Sequence, residues 1–117
     1  MKYIGDIAED GTVQTIADGA ITDGKPVLVN ADGTVSQVSG SVTLTAENFI
    51  GVTDAAYATG QKATIKTTGS IARNISATLT IGQQYFVQTD GSLGTTADDP
   101  SVIAGTAIGA SELIVKG

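Results

Sequence analysis

The chain has 117 residues, 41% of them hydrophobic but only 4% aromatic, and twelve acidic against six basic side chains give a net charge of −6. With no Cys and no His, disulfides, thiolate metal sites and the usual general base near neutral pH are excluded. The basic residues Lys2, Lys25, Lys62, Lys66, Arg73 and Lys116 are scattered, so neither nucleic acid nor an anionic membrane is an expected partner.

The N-terminal stretch "MKYIGDIAEDG" carries one Lys and then acids, without the apolar run of a secretory signal. The mature chain is therefore expected to start at or near Met1. Lys2, Tyr3, Ile4 and Ile7 stand ahead of the first turn signal, and residues 1–10 read as an arm that adds a strand to its own sheet or lies across a neighbour.

From Asp10 onward, Asp-Gly pairs punctuate the chain at Asp10-Gly11, Asp18-Gly19, Asp23-Gly24, Asp32-Gly33 and Asp90-Gly91. Asp-Gly supplies the positive φ of tight hairpin turns, so five of the acids are turn chemistry. Between turns the β-rich segments are, in order, "KPVLVN", "GTVSQV", "NFIGVT", "KATIKT", "QYFVQT", "SVIAGTA" and "ELIVKG". In Lys62 to Lys66 apolar and polar residues alternate strictly, the period of a half-buried strand. Pro26 suits a strand start or edge. The best helical window, "DAAYATG" from Asp54 to Gly60, has room for a single turn.

Gly11 to Val38 aligns without a gap on Gly69 to Thr96 at an offset of 58, with six identities in 28 positions. This composition gives roughly two or three by chance. Beyond it, "NFIGVT" matches "VIAGTA", Gly51 on Gly105, and "KATIK" matches "ELIVK". The expected architecture is all-β with little or no helix: a compact barrel or sandwich of about eight to ten short strands, built from similar halves at 11–68 and 69–117 of one domain, 11–117. Neither half alone has enough apolar face to be stable. Gly51 and Gly105, inside strands, mark sharp bends or close backbone approaches.

Few constellations suggest chemistry. Asp98 and Asp99 before Pro100 could help hold a hard cation, but adjacent side chains diverge and an acidic loop before Pro is ordinary. Without His, a Ser nucleophile would need a Lys base in a dry pocket, and Lys62 and Lys66 sit on a polar strand face. No catalytic, cofactor-binding or metal-ligating set is assigned, and the chain is not expected to be an enzyme. Tyr85 and Phe86, adjacent in a strand, point to opposite faces, so one fills the core while the other meets solvent or a partner, unless both faces are buried.

The segments "ENFIGVTDAAYATGQKATI", "LTIGQQYFVQTDGSLGTTADDPSVIAGTAI" and "SELIVKG" together resemble a β-rich module of virion structural proteins of tailed bacteriophages, particularly those of marine and cyanobacterial hosts. The likeness covers roughly Glu47 to Gly117. The first half, "GAITDGKPVLVNADGTVSQV", more loosely resembles small phage capsid decoration, or cement, proteins. The resemblance implies a non-enzymatic virion component, often trimeric, that is made in the host cytoplasm, docks on the capsid exterior, binds the major capsid protein and stabilises the head. It carries over no catalytic residue. The interface residues it suggests are Lys2, Tyr3, Ile4 and Ile7 of the arm with Tyr57 and Tyr85. The alternative is a tail or tail-fibre module that binds a host surface receptor or glycan through a concave site lined by Tyr57 or Tyr85.

Overall fold

The computed structural model describes residues 6–7, 12–40, 42–75 and 77–116. Its elements are all strands: β1 (Asp6–Ile7), β2 (Thr12–Ile16), β3 (Pro26–Val29), β4 (Val35–Gln37), β5 (Phe49–Thr53), β6 (Lys62–Lys66), β7 (Ile71–Ala72), β8 (Gln84–Val87), β9 (Leu93–Gly94), β10 (Ile103–Gly109) and β11 (Glu112–Val115). They form two open antiparallel sheets, one ordered β1-β2-β6-β5-β3-β4 and the other β7-β11-β10-β8-β9. All seven β-rich segments contain strands. β2 and β7, at matching places in the repeat, and the short β9 were not expected from the pattern.

The duplication is visible in the topology. Without the edge strand β1, the first sheet runs β2-β6-β5-β3-β4, and each of its strands has a counterpart in the same place in β7-β11-β10-β8-β9. Gly51 and Gly105 occupy one structural position. A Cβ there would overlap the carbonyl oxygen of Lys66 in the first half and of Ile114 in the second, so both are close backbone approaches. This equivalence sets Lys66 against Ile114, whereas matching "KATIK" to "ELIVK" sets it against Lys116. The two alignments differ by two residues, which leaves the buried face of the strand unchanged.

The Asp-Gly hairpins are equally repeated. In the first, Gly33 N–H donates to Asn30 O at 3.0 Å and Asn30 N–H to Thr34 O at 2.7 Å. In the second, Gly91 N–H donates to Gln88 O at 2.9 Å and Gln88 N–H to Ser92 O at 2.8 Å. Among the described residues positive φ occurs only on glycine, 87° at Gly33 and 91° at Gly91. Each loop is thus a tight turn followed by a left-handed Gly, while the Asp acts through its side chain. Asp32 Oδ1 accepts from Thr34 N–H at 3.1 Å and from its hydroxyl at 2.6 Å, and Asp90 Oδ1 accepts likewise from Ser92 at 3.0 and 2.7 Å. The helical window at Asp54 to Gly60 is instead an irregular segment whose Tyr57 bridges Ile21.

Two apolar clusters fill the interior. Ala17, Ile21, Val27, Val35, Ala63 and Ile65 form one within the first half. The larger joins the halves: Leu28, Val38, Phe49 and Val52 of the first pack with Ile75, Leu79, Tyr85, Val87, Ala104 and Leu113 of the second. This shared core is why neither half is a separate body.

Candidate functional site

The geometry that singles out a surface is the junction between the halves. Gly24, in the turn before β3, approaches the second half so closely that a Cβ would overlap Asn74 O, and Gly91, in the β8–β9 turn, does the same against Val38 O. The Asp23 carboxylate accepts a hydrogen bond from the Asn74 side-chain amide. Between these contacts lies a pocket of about 70 Å³ lined by Gly24, Lys25, Pro26, Ile75, Gly91 and Leu93, among others. That is room for water, far below the roughly 300 Å³ and more of a drug-sized ligand site.

The loop that presents Gly24 is held by a buried hydroxyl. Thr53 Oγ1 donates to Thr22 O at 3.0 Å and accepts from Lys25 N–H at 3.2 Å, with Thr53 fully buried. In the second half the counterpart of Thr53 is Ala107, which has no hydroxyl. There the corresponding loop is held by Tyr85, whose phenolic oxygen accepts from Thr80 N–H at 2.8 Å. Different residues therefore secure the same loop in the two halves.

This accounts for Tyr85. It is 6% exposed and part of the shared core, so its ring is not offered to a partner; the half-buried ring of the pair is Phe86. Tyr57 is half-buried against the first half's own cluster, and its hydroxyl donates to Asp54 Oδ1 at 2.6 Å. Burial and the Asp54 carboxylate push its pKa up. The two tyrosines belong to different clusters and do not line a common concavity. Of the arm, Lys2, Tyr3 and Ile4 lie outside the described residues. Ile7 is placed by its backbone, in β1, paired with Val13 of β2, so this part of the arm adds to its own sheet.

The Asp98 carboxylate is engaged by donors of the protein itself. The Asp98 carboxylate accepts from Thr89 N–H at 2.9 Å, Thr89 Oγ1 at 3.1 Å and Asp99 N–H at 2.9 Å. These bonds tie the 97–99 loop to the β8–β9 turn and, Thr89 N–H first, hold the Asp98 carboxyl below the usual carboxylate range. Among the described residues no three acidic side chains are grouped to hold a metal ion.

The surface feature that sequence reasoning missed is aliphatic. Ile81 is 70% exposed, Ile103 37% and Ile108 44%, all in the second half, and Ile16 of the first is 42% exposed. Ile103 pairs across the sheet with Phe86. Their counterparts Phe49 and Leu28 also pair with each other but are buried under the second half. A signal was present in the repeat alignment: Asp23 aligns with Ile81 and Asn74 with Ile16, a polar residue in one copy against an apolar one in the other. No family model and no curated protein matches the chain.

Proposed function

We propose that the protein is a non-enzymatic structural component of a phage particle, a capsid decoration protein that binds the major capsid protein on the head exterior and stabilises it, as a homotrimer. The observation that carries the reading is the exposed face of the second half, where Phe86 and Ile103 stand side by side with Ile81 and Ile108 on the same half. Exposed apolar groups on a rigid β body suit docking on another protein surface, because covering them removes apolar area from water. The resemblance of Glu47 to Gly117 to phage virion modules supplies the class of partner. The acidic surface favours solubility until docking, and association would cover exposed sheet edges.

The test is the copy number relative to the major capsid protein in purified particles, by quantitative mass spectrometry. A ratio near one per capsid subunit is expected. A handful of copies per particle would overturn the decoration role and favour a tail or fibre component, and absence from particles would overturn both.

A further inference from the structure

Among the described residues the Asp-Gly pairs are Asp18-Gly19, Asp23-Gly24, Asp32-Gly33 and Asp90-Gly91, and the fold treats them unequally. An aspartate before Gly is open to attack on its side chain, because Gly has no Cβ to crowd the next backbone nitrogen. That nitrogen adds to the Asp Cγ, its proton and the carboxyl hydroxyl leave as water, and a five-membered succinimide forms. Water then opens the ring. Opening at the original main-chain carbonyl leaves the chain running through the side-chain carboxyl, which is isoaspartate. One water is lost and one regained, with no oxidant or cofactor. The reaction needs an unengaged Gly nitrogen, a carboxyl that can take up a proton, and space for the two to meet.

At Asp32-Gly33 and Asp90-Gly91 both groups are engaged. Gly33 N–H donates to Asn30 O at 3.0 Å and Gly91 N–H to Gln88 O at 2.9 Å. The two carboxylates accept from Thr34 and Ser92 respectively, bonds that favour the ionised form and disfavour loss of an oxygen. At Asp23-Gly24 the carboxylate accepts from the Asn74 amide, and buried Gly24 is pressed on Asn74 O with no space for another atom.

Asp18-Gly19 has none of these restraints. Asp18 is exposed, and among the described residues nothing bonds its carboxylate or the Gly19 N–H. The space beside the Gly19 α-carbon is open for 4 Å. The main chain is anchored on either side, by Asp18 N–H to Val35 O at 2.7 Å and Ile21 N–H to Tyr57 O at 2.8 Å. Gly19 and Ala20 between them are the slack in which a ring can close.

We infer that Asp18 is a modification site, at which the folded protein forms succinimide and then isoaspartate spontaneously while Asp23, Asp32 and Asp90 persist. The product carries one extra methylene in the main chain between Ala17 and Ile21, both buried in the first half's cluster. The modified segment no longer fits the two anchors, so it covers that cluster less well.

The inference is independent of the capsid reading, and its test uses the isolated full-length chain. The protein is incubated for weeks at neutral pH, folded or in urea, and isoaspartate is located in its peptides by electron-transfer mass spectrometry. In urea the four sites should convert at similar rates, since each is Asp followed by Gly. In the folded chain Asp18 should convert roughly tenfold or more faster than Asp32 and Asp90, whose hydrogen bonds must open before attack. Asp18→Glu, which would have to close a less favourable six-membered ring, should remove the conversion at this position with the fold intact by circular dichroism. The isoaspartate fraction, separated by ion exchange, should unfold at lower urea than its parent. Folded-state conversion at Asp18 no faster than at Asp32 and Asp90, or confined to the chain in urea, would overturn the site; equal urea midpoints would overturn its effect on the cluster.

Discussion

The α-carbon of Gly24 is pressed against the main chain of Asn74, where a Cβ would overlap the Asn74 carbonyl oxygen. Gly82, its repeat counterpart, has open space at the same point, although both have positive φ, 68° and 86°. Gly82→Ala is therefore expected to cost about 1–2 kcal/mol, from backbone conformation alone. Gly24→Ala should cost about 1–3 kcal/mol more, because two backbones must separate to admit the methyl group. Urea denaturation of both variants checks this, and equal losses would show that the junction yields freely.

The hydroxyls of Thr53 and Tyr85 hold equivalent loops and give a matched pair of substitutions. Thr53→Val keeps shape but strips Thr22 O and Lys25 N–H of their partner, for an expected loss of about 1–3 kcal/mol. Tyr85→Phe removes one acceptor from Thr80 N–H and should cost about 0.5–1.5 kcal/mol. Tyr85→Ala should cost about 3–5 kcal/mol through the cavity it leaves in the shared core. Thermal or urea unfolding separates these values.

Tyr57 is expected to behave differently. Its hydroxyl bonds to Asp54 at the surface, so Tyr57→Phe should change stability by less than about 0.5 kcal/mol. Because its pKa is raised, the phenol of Tyr57 should ionise above its ordinary value of 10.0. Ultraviolet titration of the wild type against Tyr57→Phe reports it directly.

Acid should weaken the fold through the turn aspartates. Hydrogen bonds from Thr34 lower the pKa of Asp32, those from Ser92 lower that of Asp90, and those from Thr89 and Asp99 lower that of Asp98, all from 3.8. A folded-state pKa below the unfolded one means stability that is fully present above the unfolded value and lost as pH falls through the folded value. Stability should thus be level near neutral pH and decline from about pH 4 downward. Urea midpoints against pH test this, and Asp32→Asn with Asp90→Asn should flatten the decline.

Under the capsid reading, deletion of Met1 to Ile7 is expected to weaken particle binding and leave the body folded. The deletion removes β1 from the edge of its sheet, and the described residues of both apolar clusters lie beyond the deleted segment. Co-sedimentation with particles, alongside circular dichroism of the truncated chain, checks both parts; unchanged binding removes the arm from the interface.

Strand positions were legible where β-branched residues stood between turn residues, as in "KPVLVN" and "QYFVQT", because period and punctuation are local properties. β2 was not, since "TVQTI" mixes three polar residues into five and is paired through β6, a strand some fifty residues away. The expectation that Tyr85 and Phe86 point to opposite faces followed from strand geometry, but which ring was buried depended on the loop that Tyr85 holds. Asp32 and Asp90 were recognisable as turn residues, yet the positive φ fell to the following Gly and the carboxylates became acceptors.

By itself, the sequence determined the all-β class, the turn sites and the presence of two similar halves, because alternation, Asp-Gly pairs and an ungapped repeat are written along the chain. Only the tertiary structure decided how the halves meet. One internal repeat is compatible with a symmetric or a head-to-tail junction, and the choice is made by contacts between residues far apart in sequence, Gly24 with Asn74 and Gly91 with Val38. That choice covers Leu28 and Phe49 and leaves their counterparts Phe86 half-buried and Ile103 exposed, so residues of matching repeat position and similar hydrophobicity acquire opposite roles.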